Sequence, residues 1–465
     1  MVRLFWFGFY VVGVLRTLLR LTAFCVLVVV GWGSSAGAWD TTAGSDTNYG
    51  SINFGSPSSD FGYGVAVDGA GNVYATGTES NAAFVTKRNA AGALEWATTF
   101  GTQESRGYGV AVDNAGNVYA TGYFSGRINM PSPPNIVADS FDVFVTKYNA
   151  SGVLQWIKKI GGDGSNYGRG VAVDSAGNVY VAGYFNFAVD FGAGDVDSNN
   201  NSVDAFVTKL NTAGAHQWTT TLGGTGIERG WKVAVDSAGN VYATGTFQGT
   251  VDFGAGDVTS TGASNDVFVT KLNSAGAHQW TTTYGGANAE TVYGLAVDSA
   301  GNVHTTGYFE GTVNFGAGNV TAVNADAYVT KLNTAGAHQW TTTFGGTSFE
   351  VGYGVAVDGS GNVHVNGYFK GTVDFGAGDV TATGANNDVF VTKLNAAGAH
   401  QWTRTYGDVY DDRGQGVAVD SSGNVYATGW FSVADFGAGN VYATGIVPEL
   451  GNSPTDVFVV KLNSA

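Results

Sequence analysis

Acidic residues in short glycine-rich segments are the first groups in this sequence with the types and spacing for chemistry. The segment Asp-Phe-Gly-Ala-Gly-Asp recurs, and in further copies asparagine replaces one or both aspartates. Calcium prefers several oxygen ligands, so such pairs are candidate calcium ligands and calcium is the candidate cofactor. The spacing is not that of an EF-hand, and aspartates also form turns without any ion. Both interpretations stay open for the pairs Asp190 with Asp195, Asp252 with Asp257, and Asp374 with Asp379.

A second set of charged residues lies in the connections between successive repeats. These connections differ from one another, and binding residues usually lie on variable loops held by a rigid scaffold. Aromatic residues such as Tyr410 and Trp430 can also stack on sugars. The candidate binding residues are Glu104, Glu228, Arg229, Glu290, Glu350, Asp408, Tyr410, Asp411, Asp412 and Arg413.

The usual catalytic sets are not assembled in this sequence. Four of the six histidines occupy the same place in four different repeats, which would hold them too far apart for a shared metal ion. No Gly-x-Ser-x-Gly motif is present, and the serines concentrate in turns. A glycosidase needs only two carboxylates, so a sugar-cleaving enzyme stays open as an alternative to a non-enzymatic protein.

The overall charge and the N-terminus indicate where the protein works. The formal net charge is -16, which disfavours nucleic acid as a partner. An apolar run over residues 21–30 follows several arginines, and Ala36-Gly37-Ala38 fits a signal-peptidase site. We therefore expect a signal peptide over residues 1–38 and a secreted, periplasmic or cell-surface protein without stable membrane insertion after cleavage. An uncleaved anchor is the alternative; lipidation of Cys25 is disfavoured by the bulky Phe24 before it.

A repeat of about 60 residues determines the predicted fold. The string Ala-Val-Asp recurs seven times, each followed by a Gly-Asn turn, an apolar run, a lysine-containing run and, in six copies, a tryptophan-containing run. Each unit therefore reads as four short strands, named a to d, in an antiparallel meander. The Ala-Val-Asp aspartates are Asp68, Asp113, Asp174, Asp236, Asp298, Asp358 and Asp420.

We predict an all-β fold, a single seven-bladed β-propeller over residues 39–465. The seventh unit lacks strand d, and Trp39-Asp40-Thr41-Thr42 resembles Trp280-Thr281-Thr282-Thr283. Residues 39–44 are therefore predicted to supply the missing strand and close the ring, which leaves no open sheet edge. The predicted blades are 63–101, 108–162, 169–224, 231–286, 293–346, 353–407, and 415–465 with 39–44.

The units resemble the bacterial seven-bladed β-propeller repeat family, the SBBP repeats. The resemblance rests on Gly-Val-Ala-Val-Asp-Ser-Ala-Gly-Asn-Val-Tyr-Ala-Thr-Gly, Asp-Phe-Gly-Ala-Gly, Asp-Val-Phe-Val-Thr-Lys-Leu-Asn and Gln-Trp-Thr. The first half of each unit is also similar to NHL-type repeats. The first unit lacks the Asp-Phe-Gly-Ala-Gly segment and the second replaces it with residues 127–138. The resemblance implies the fold and says little about activity.

The expected function is that of an exported, non-enzymatic binding or scaffold module. In a meander the b–c and d–a connections lie on one face of the ring, named here the loop face, and this face carries the candidate binding residues. The expected partner is a protein or glycan at the cell surface or outside the cell. A carbohydrate-active propeller, either a lectin or a glycan lyase or hydrolase, is the alternative.

Overall fold

A computed structural model describes residues 49–129, 135–198, 202–436, 440–444 and 454–463. Seven four-stranded antiparallel blades form a ring, as the sequence predicts. Strand a of each blade contacts strand a of the next, and the first strand of blade 7 contacts that of blade 1. Over the described ranges, no helix has the length and apolar character needed to cross a membrane.

The strands follow the chain blade by blade, and six blades insert a small hairpin between strands b and c. Strand β1 (Tyr49–Phe54) belongs to blade 7. The others are β2 (Phe61–Val67), β3 (Val73–Glu79), β4 (Ala82–Arg88) and β5 (Leu94–Phe100) in blade 1; β6 (Ser105–Val112), β7 (Val118–Phe124), β8 (Arg127–Ile128), β9 (Ile136–Val137), β10 (Asp142–Tyr148) and β11 (Leu154–Gly162) in blade 2; β12 (Tyr167–Val173), β13 (Val179–Asn186), β14 (Ala188–Asp190), β15 (Asp195–Asp197), β16 (Val203–Leu210) and β17 (His216–Leu222) in blade 3; β18 (Arg229–Val235), β19 (Val241–Phe247), β20 (Thr250–Asp252), β21 (Asp257–Thr259), β22 (Asp266–Leu272) and β23 (His278–Tyr284) in blade 4; β24 (Glu290–Val297), β25 (Val303–Asn314), β26 (Asn319–Leu332) and β27 (His338–Gly346) in blade 5; β28 (Val351–Val357), β29 (Val363–Phe369), β30 (Thr372–Asp374), β31 (Asp379–Thr381), β32 (Asp388–Leu394) and β33 (His400–Tyr406) in blade 6; and β34 (Arg413–Val419), β35 (Val425–Phe431), β36 (Val433–Asp435), β37 (Asn440–Tyr442) and β38 (Asp456–Leu462) in blade 7. Strand a begins two or three residues earlier than expected in every blade.

The Ala-Val-Asp aspartates hold the turn between strands a and b. In blade 4, Oδ1 of Asp236 accepts hydrogen bonds from the backbone N–H groups of Ala238 and Asn240, both at 2.9 Å. Its Oδ2 accepts from the Asn240 amide at 2.8 Å and from the Tyr242 hydroxyl at 3.0 Å. Burial raises the pKa of Asp236, but these hydrogen bonds outweigh it and the pKa lies below its ordinary value. The aspartate thus ties the turn to a fully buried tyrosine.

The tryptophans of strand d link each blade to the next. The indole N–H of Trp280, for example, donates to the backbone carbonyl of Thr334 in the following blade at 3.0 Å. The same bond joins four other junctions, while the indole N–H of Trp402 is buried with no acceptor among the described residues. These bonds run from Trp96 to Ala150, Trp156 to Thr212, Trp218 to Ser274, and Trp340 to Ala396.

The inserted hairpins seal the outer grooves between blades. In blade 5, the buried Phe315 packs against Tyr284 of blade 4 and Tyr328 of its own blade, with ring centroids 5.1 Å away in both cases. Blades 3, 4, 6 and 7 bury the equivalent phenylalanine in the same way. The Asp-Phe-Gly-Ala-Gly segment therefore has a packing role in addition to any role of its aspartates.

An N-terminal strand closes the ring, but it is not the predicted one. Strand β1, Tyr49–Phe54, pairs antiparallel with β38 in the place assigned to residues 39–44. Ile52 and Phe54 are 5% and 7% exposed, and Phe54 packs edge-on against Phe84 of blade 1. Apolar alternation that fills the gap between blades 7 and 1 therefore decides which segment pairs. Gly50, opposite Lys461, stands where the other blades place tryptophan; residues 1–44 lie outside the described residues.

Candidate functional site

A β-bulge in strand a recurs in all seven blades and defines the most distinctive site. In blade 4 the register against strand b passes from Gly230 to Lys232, so Trp231 is the extra residue. A bulge redirects a side chain that regular alternation would send elsewhere. The seven extra residues all line one cavity at the axis of the ring: Tyr63, Tyr108, Arg169, Trp231, Tyr293, Tyr353 and Gln415.

Glycines in two strands make this bulge possible. A Cβ on Gly245 of strand b would lie 2.0 Å from the carbonyl oxygen of Arg229, just before the bulge. A Cβ on Gly170, which follows the bulge in blade 3, would lie 2.9 Å from Cα of Lys232 in blade 4. Only glycine permits these approaches without a shift, so the Gly-x-Gly spacing builds the narrow axis of the ring.

The cavity is a funnel of about 430 Å³ whose wall is aromatic and cationic. We call it the central funnel and define it by its twelve lining residues, which include no carboxylate. Below it, a second cavity of about 160 Å³ continues along the axis between glycine and valine backbones, and Lys232 lines both. The twelve are the seven bulge residues with Phe61, Arg106, Lys232, Arg413 and Trp430.

The aromatic residues form a nearly continuous belt around the funnel. Tyr293 and Tyr353 stack with ring centroids 4.4 Å apart, and Trp231 meets Tyr293 edge-on at 5.4 Å. On the other side, Tyr63 lies 5.0 Å from Tyr108. Such rings present large apolar faces with hydroxyl groups at their edges, a combination suited to binding sugars or aromatic ligands.

Arg169 interrupts the belt in blade 3. Its guanidinium lies 4.1 Å from the centroid of Tyr108 and 4.8 Å from that of Trp231, within the range of cation–π contacts. One of its terminal nitrogens donates to the Tyr184 hydroxyl at 2.8 Å. Its Nε is buried and has no hydrogen-bond partner in the described ranges of the chain, and the same holds for the indole N–H of Trp231.

Lys232 occupies a place that the other blades give to glycine. Burial, and then the nearby charge of Arg169, lower the pKa of Lys232 to about 8. Burial raises the pKa of Tyr63 to about 12. The arginines stay protonated. Near neutral pH the funnel therefore carries positive charge on a protein whose formal net charge is -16.

The structure distributes the predicted loop-face residues over five different environments. Arg413 lines the central funnel. Glu104 and Asp411 lie one layer behind it, paired with Arg106 at 3.1 Å and with Arg413 at 3.0 Å. Arg229 lies over the ring of Tyr184 at 5.7 Å from its centroid. Asp408 and Tyr410 form a local turn away from the funnel, in which the Tyr410 N–H donates to Asp408 at 2.9 Å.

The remaining four, Glu228, Glu290, Glu350 and Asp412, are fully buried at blade junctions. Each lies close to the aspartate that begins strand c of the preceding blade, and burial together with this like charge raises its pKa. The five junction pairs of this kind are Asp60 with Asp456, Asp204 with Glu228, Asp266 with Glu290, Asp326 with Glu350, and Asp388 with Asp412.

One junction pair shows how these carboxyl groups are held. Oε2 of Glu290 accepts from the backbone N–H of Gly286 at 2.9 Å, while its Oε1 and Oδ1 of Asp266 are buried without a partner. The pKa of Glu290 is raised to about 8. This raised pKa favours a protonated Glu290 near neutral pH, and the proton is a hydrogen-bond donor where two carboxyl oxygens lack one. At the junction of blades 2 and 3, Asn166 takes this place and its amide donates to Asp142 at 3.2 Å.

The candidate calcium pairs lie opposite each other across the inserted hairpins. Asp252 faces Asp257 directly, as Asp190 faces Asp195 and Asp374 faces Asp379. Oδ1 of Asp252 accepts from the N–H groups of Gly254 at 2.7 Å and Gly256 at 3.0 Å. Asn314 makes the same bonds in blade 5. Among the described residues no group of three or more His, Cys, Asp or Glu side chains converges, and calcium stays a prediction.

Most funnel residues escaped the sequence analysis, although a signal was present. The residue between the two glycines of strand a varies between repeats, while each of the two glycines is replaced in one repeat alone, the first by Val292 and the second by Lys232. Period-two alternation does not reveal a bulge, so these side chains read as ordinary strand positions. Trp430 and Arg413, named as candidates from the sequence, do line the funnel.

Ring, blades and central funnel together define a seven-bladed β-propeller with an axial cavity. The beta-propeller repeat family SBBP matches this chain at residues 50–78, 155–186, 279–308 and 401–437. The chain is therefore a beta-propeller repeat protein that carries SBBP repeats.

Curated relatives are distant and much longer than this chain. An uncharacterized WD repeat-containing protein of Acanthamoeba polyphaga mimivirus is 24% identical over 64% of this chain and 27% of its own length. The Regulatory protein FlaEY of Caulobacter vibrioides is 27% identical over 62% of this chain and 32% of its own length. The chain thus spans about a third or less of these relatives.

Solved structures resemble the chain only loosely. Sqt1 from Chaetomium thermophilum aligns with 88% of this chain and 97% of its own at a TM-score of 0.41 and 10% identity. An uncharacterized protein from Listeria monocytogenes aligns with 80% of this chain and 91% of its own at a TM-score of 0.38 and 7% identity.

Proposed function

We propose that this protein is an exported, non-enzymatic binding module whose ligand site is the central funnel. The observation that carries the proposal is the bulge repeated in all seven blades, which turns seven side chains toward one axis. A rigid ring holds these side chains in fixed positions, so little conformational entropy is lost when a ligand binds.

The chemistry of the lining supports binding over hydrolysis. The funnel offers indole, phenol, guanidinium and ammonium groups, whereas a glycosidase needs two facing carboxyl groups. The junction carboxyls are fully buried and hydrogen-bonded to backbone. The curated relatives are named as a WD repeat-containing protein and a regulatory protein, names that fit a binding or scaffold role.

A carbohydrate-active role is the second candidate, and the aromatic belt favours it. The stacked pair Tyr293 and Tyr353 lies only partly buried at the funnel wall. Sugar rings pack on such faces, so a lectin-like module fits the funnel better than a lyase or hydrolase. Partners at the cell surface or outside, either proteins or glycans, follow from the proposed export; an acidic protein disfavours nucleic acid.

Binding arrays with three proteins test the proposal. Wild-type protein, Tyr293→Ala in the funnel and Tyr410→Ala on the outer loop face are applied to the same glycan and peptide arrays. We expect Tyr293→Ala to lose the wild-type signals and Tyr410→Ala to keep them. Signals that depend on Tyr410 and not on Tyr293 would place the site on the outer loops, and released product would make the protein an enzyme.

Cell fractionation followed by N-terminal sequencing tests the export. We expect a mature chain that begins at Trp39 in the periplasmic, surface or medium fraction. A chain that retains residues 1–38 and pellets with membranes would contradict the cleavage.

A further inference from the structure

Two buried hydrogen-bond donors in the central funnel lack acceptors from the described part of the protein. They are the Nε of Arg169 and the indole N–H of Trp231. Lys232, a half-buried cation that also lines the funnel, lies beside them, since Gly170, next to Arg169, approaches Cα of Lys232. Buried donors are normally satisfied, so two of them beside a cation point to an acceptor from outside the protein.

The other two cations of the funnel already have partners. Arg106 pairs with Glu104 at 3.1 Å, and Arg413 pairs with Asp411 at 3.0 Å. Their charge is therefore balanced within the protein. Among the described residues, Arg169 contacts aromatic rings and the Tyr184 hydroxyl. The charge that affects Lys232 is the like charge of Arg169. The unbalanced charge of the funnel is thus confined to blades 3 and 4.

Both residues depart from the repeat in the same corner of the ring. Four blades carry tyrosine where blade 3 carries Arg169, and six blades carry glycine where blade 4 carries Lys232. The packing of the ring requires neither change, because other blades form the same bulge without them. The two departures from the repeat thus place unbalanced cations side by side where the fold itself does not call for them.

The other residues that line the funnel indicate the chemistry of the uncharged part of the ligand. In blade order, tyrosines flank the cationic corner on both sides, with Tyr63 and Tyr108 in blades 1 and 2, and Tyr293 and Tyr353 in blades 5 and 6. Gln415 of blade 7 lies across the ring and offers both an amide donor and an acceptor. Aromatic walls with hydroxyl and amide groups fit a ring that carries hydroxyl groups.

We propose that the central funnel binds an anionic sugar, with its acidic group at Arg169, Trp231 and Lys232 and its ring against the tyrosines. This proposal rests on the proposed function, because it names the ligand class for the same site. A carboxylate and a phosphate share the chemistry that these donors recognise. The source is therefore either a uronic acid or a sugar phosphate.

Calorimetric titration with three defined probes tests the proposal. The probes are glucuronate, glucose 6-phosphate and the neutral methyl glucoside. We expect at least one anionic probe to bind about tenfold or more tightly than the neutral probe, because charge-assisted hydrogen bonds form only with the anion. Preference for glucuronate identifies a uronic acid, and preference for glucose 6-phosphate identifies a sugar phosphate.

Two variants that restore the repeat keep the test independent of folding. Arg169→Tyr introduces the residue of four other blades, and Lys232→Gly introduces that of six, so both proteins should fold. Each should weaken binding of the preferred anion by about tenfold and leave the neutral probe unchanged. Lys370→Ala removes an exposed cation from the loop face outside the funnel and is the matched control, with no expected change.

The results separate failure of this inference from failure of the proposed function. Equal affinity for neutral and anionic probes, or anion binding that survives both variants, would overturn the anionic ligand while the array results on Tyr293 still stand. Failure of both anionic probes to bind at millimolar concentration also overturns it. Array signals that ignore the funnel would overturn the proposed function itself.

Discussion

The central funnel and the blade junctions differ in which hydrogen-bonding groups are left without a partner. Among the described residues, the funnel wall buries donors that lack acceptors, at Arg169 and Trp231, whereas junctions such as Asp266 with Glu290 bury acceptors that lack donors. A carboxyl pair satisfies itself by binding one proton from water, as its raised pKa indicates. An arginine does not lose its proton, so its corner of the funnel needs an anion from outside. Burial of polar groups thus has a structural role at the junctions, whereas in the funnel it favours binding of an anion.

Alkaline pH is expected to have the largest effect, and it acts through the junctions. Their folded pKa values, about 6 to 8, lie above the ordinary values of 3.8 and 4.5. The stability they contribute is therefore complete below the ordinary values and is lost as the pH rises through the folded ones. The turn aspartates have lowered pKa values and act in the opposite direction, losing their contribution only in acid.

We therefore expect stability to peak near about pH 5 and the free energy of unfolding to fall by on the order of 5 kcal/mol by about pH 9. Urea unfolding at a series of pH values measures this. A free energy of unfolding that stays level or increases over that interval would show that the junction carboxyls are ionised in the folded protein.

Gly245→Ala should damage the funnel and leave the junctions intact. The new Cβ would meet the Arg229 carbonyl that precedes the bulge of Trp231. We expect a loss of about 3 kcal/mol, which overpacking of this kind costs, together with loss of funnel binding. Gly69→Ala is the control, because nothing lies within 4 Å of its Cβ and its φ is not positive. Equal unfolding curves for the two variants would mean that strand b can shift to accommodate the new Cβ at no cost in stability.

The pH dependence of ligand affinity should report the funnel alone. Lys232 has a pKa lowered to about 8, whereas the arginines stay charged and burial raises the pKa values of Tyr63, Tyr293 and Tyr353. Anion affinity should therefore fall by about tenfold as the pH rises past that value. In Lys232→Gly this decline should disappear, while the pH dependence of stability should remain. A decline that persists in the variant would assign it to another group.

Glu290→Gln should improve one junction by making its proton permanent. The amide donates to Asp266 as Asn166 donates to Asp142 in blade 3. We expect a gain of about 1 kcal/mol at pH values above the folded pKa and little change in mild acid. Asp257→Asn removes the charge of an exposed carboxyl and serves as the comparison. A variant that is less stable than wild type in alkali would contradict the shared proton.

The sequence predicts the ring far better than it predicts the site. Seven copies of Ala-Val-Asp determine the blade count because each aspartate caps its own turn, and caps leave a local signature. Burial by a neighbouring blade leaves no such local signature. The sequence places Glu290 in a loop between repeats, yet its side chain is completely buried in the folded ring. The closing strand was misplaced because tryptophan marked residues 39–44, whereas Ile52 and Phe54 fill the gap. The bulge residues were missed because their direction depends on an extra residue that alternation does not show.

Substitutions in the inserted hairpins are expected to have the smallest effect. These hairpins also add a third region to the comparison. Asp252 is exposed, and two backbone N–H groups, from Gly254 and Gly256, lower its pKa. Asn314 keeps both bonds without the charge, so Asp252→Asn should leave the free energy of unfolding nearly unchanged. If the pairs bind calcium, the ion should raise the melting temperature of wild-type protein and not that of a variant with Asp252, Asp374 and Asp190 all replaced by asparagine. An equal change in melting temperature for both proteins would mean that these aspartates only form turns. Their carboxylate oxygens, unlike several at the junctions, already accept hydrogen bonds from backbone N–H groups.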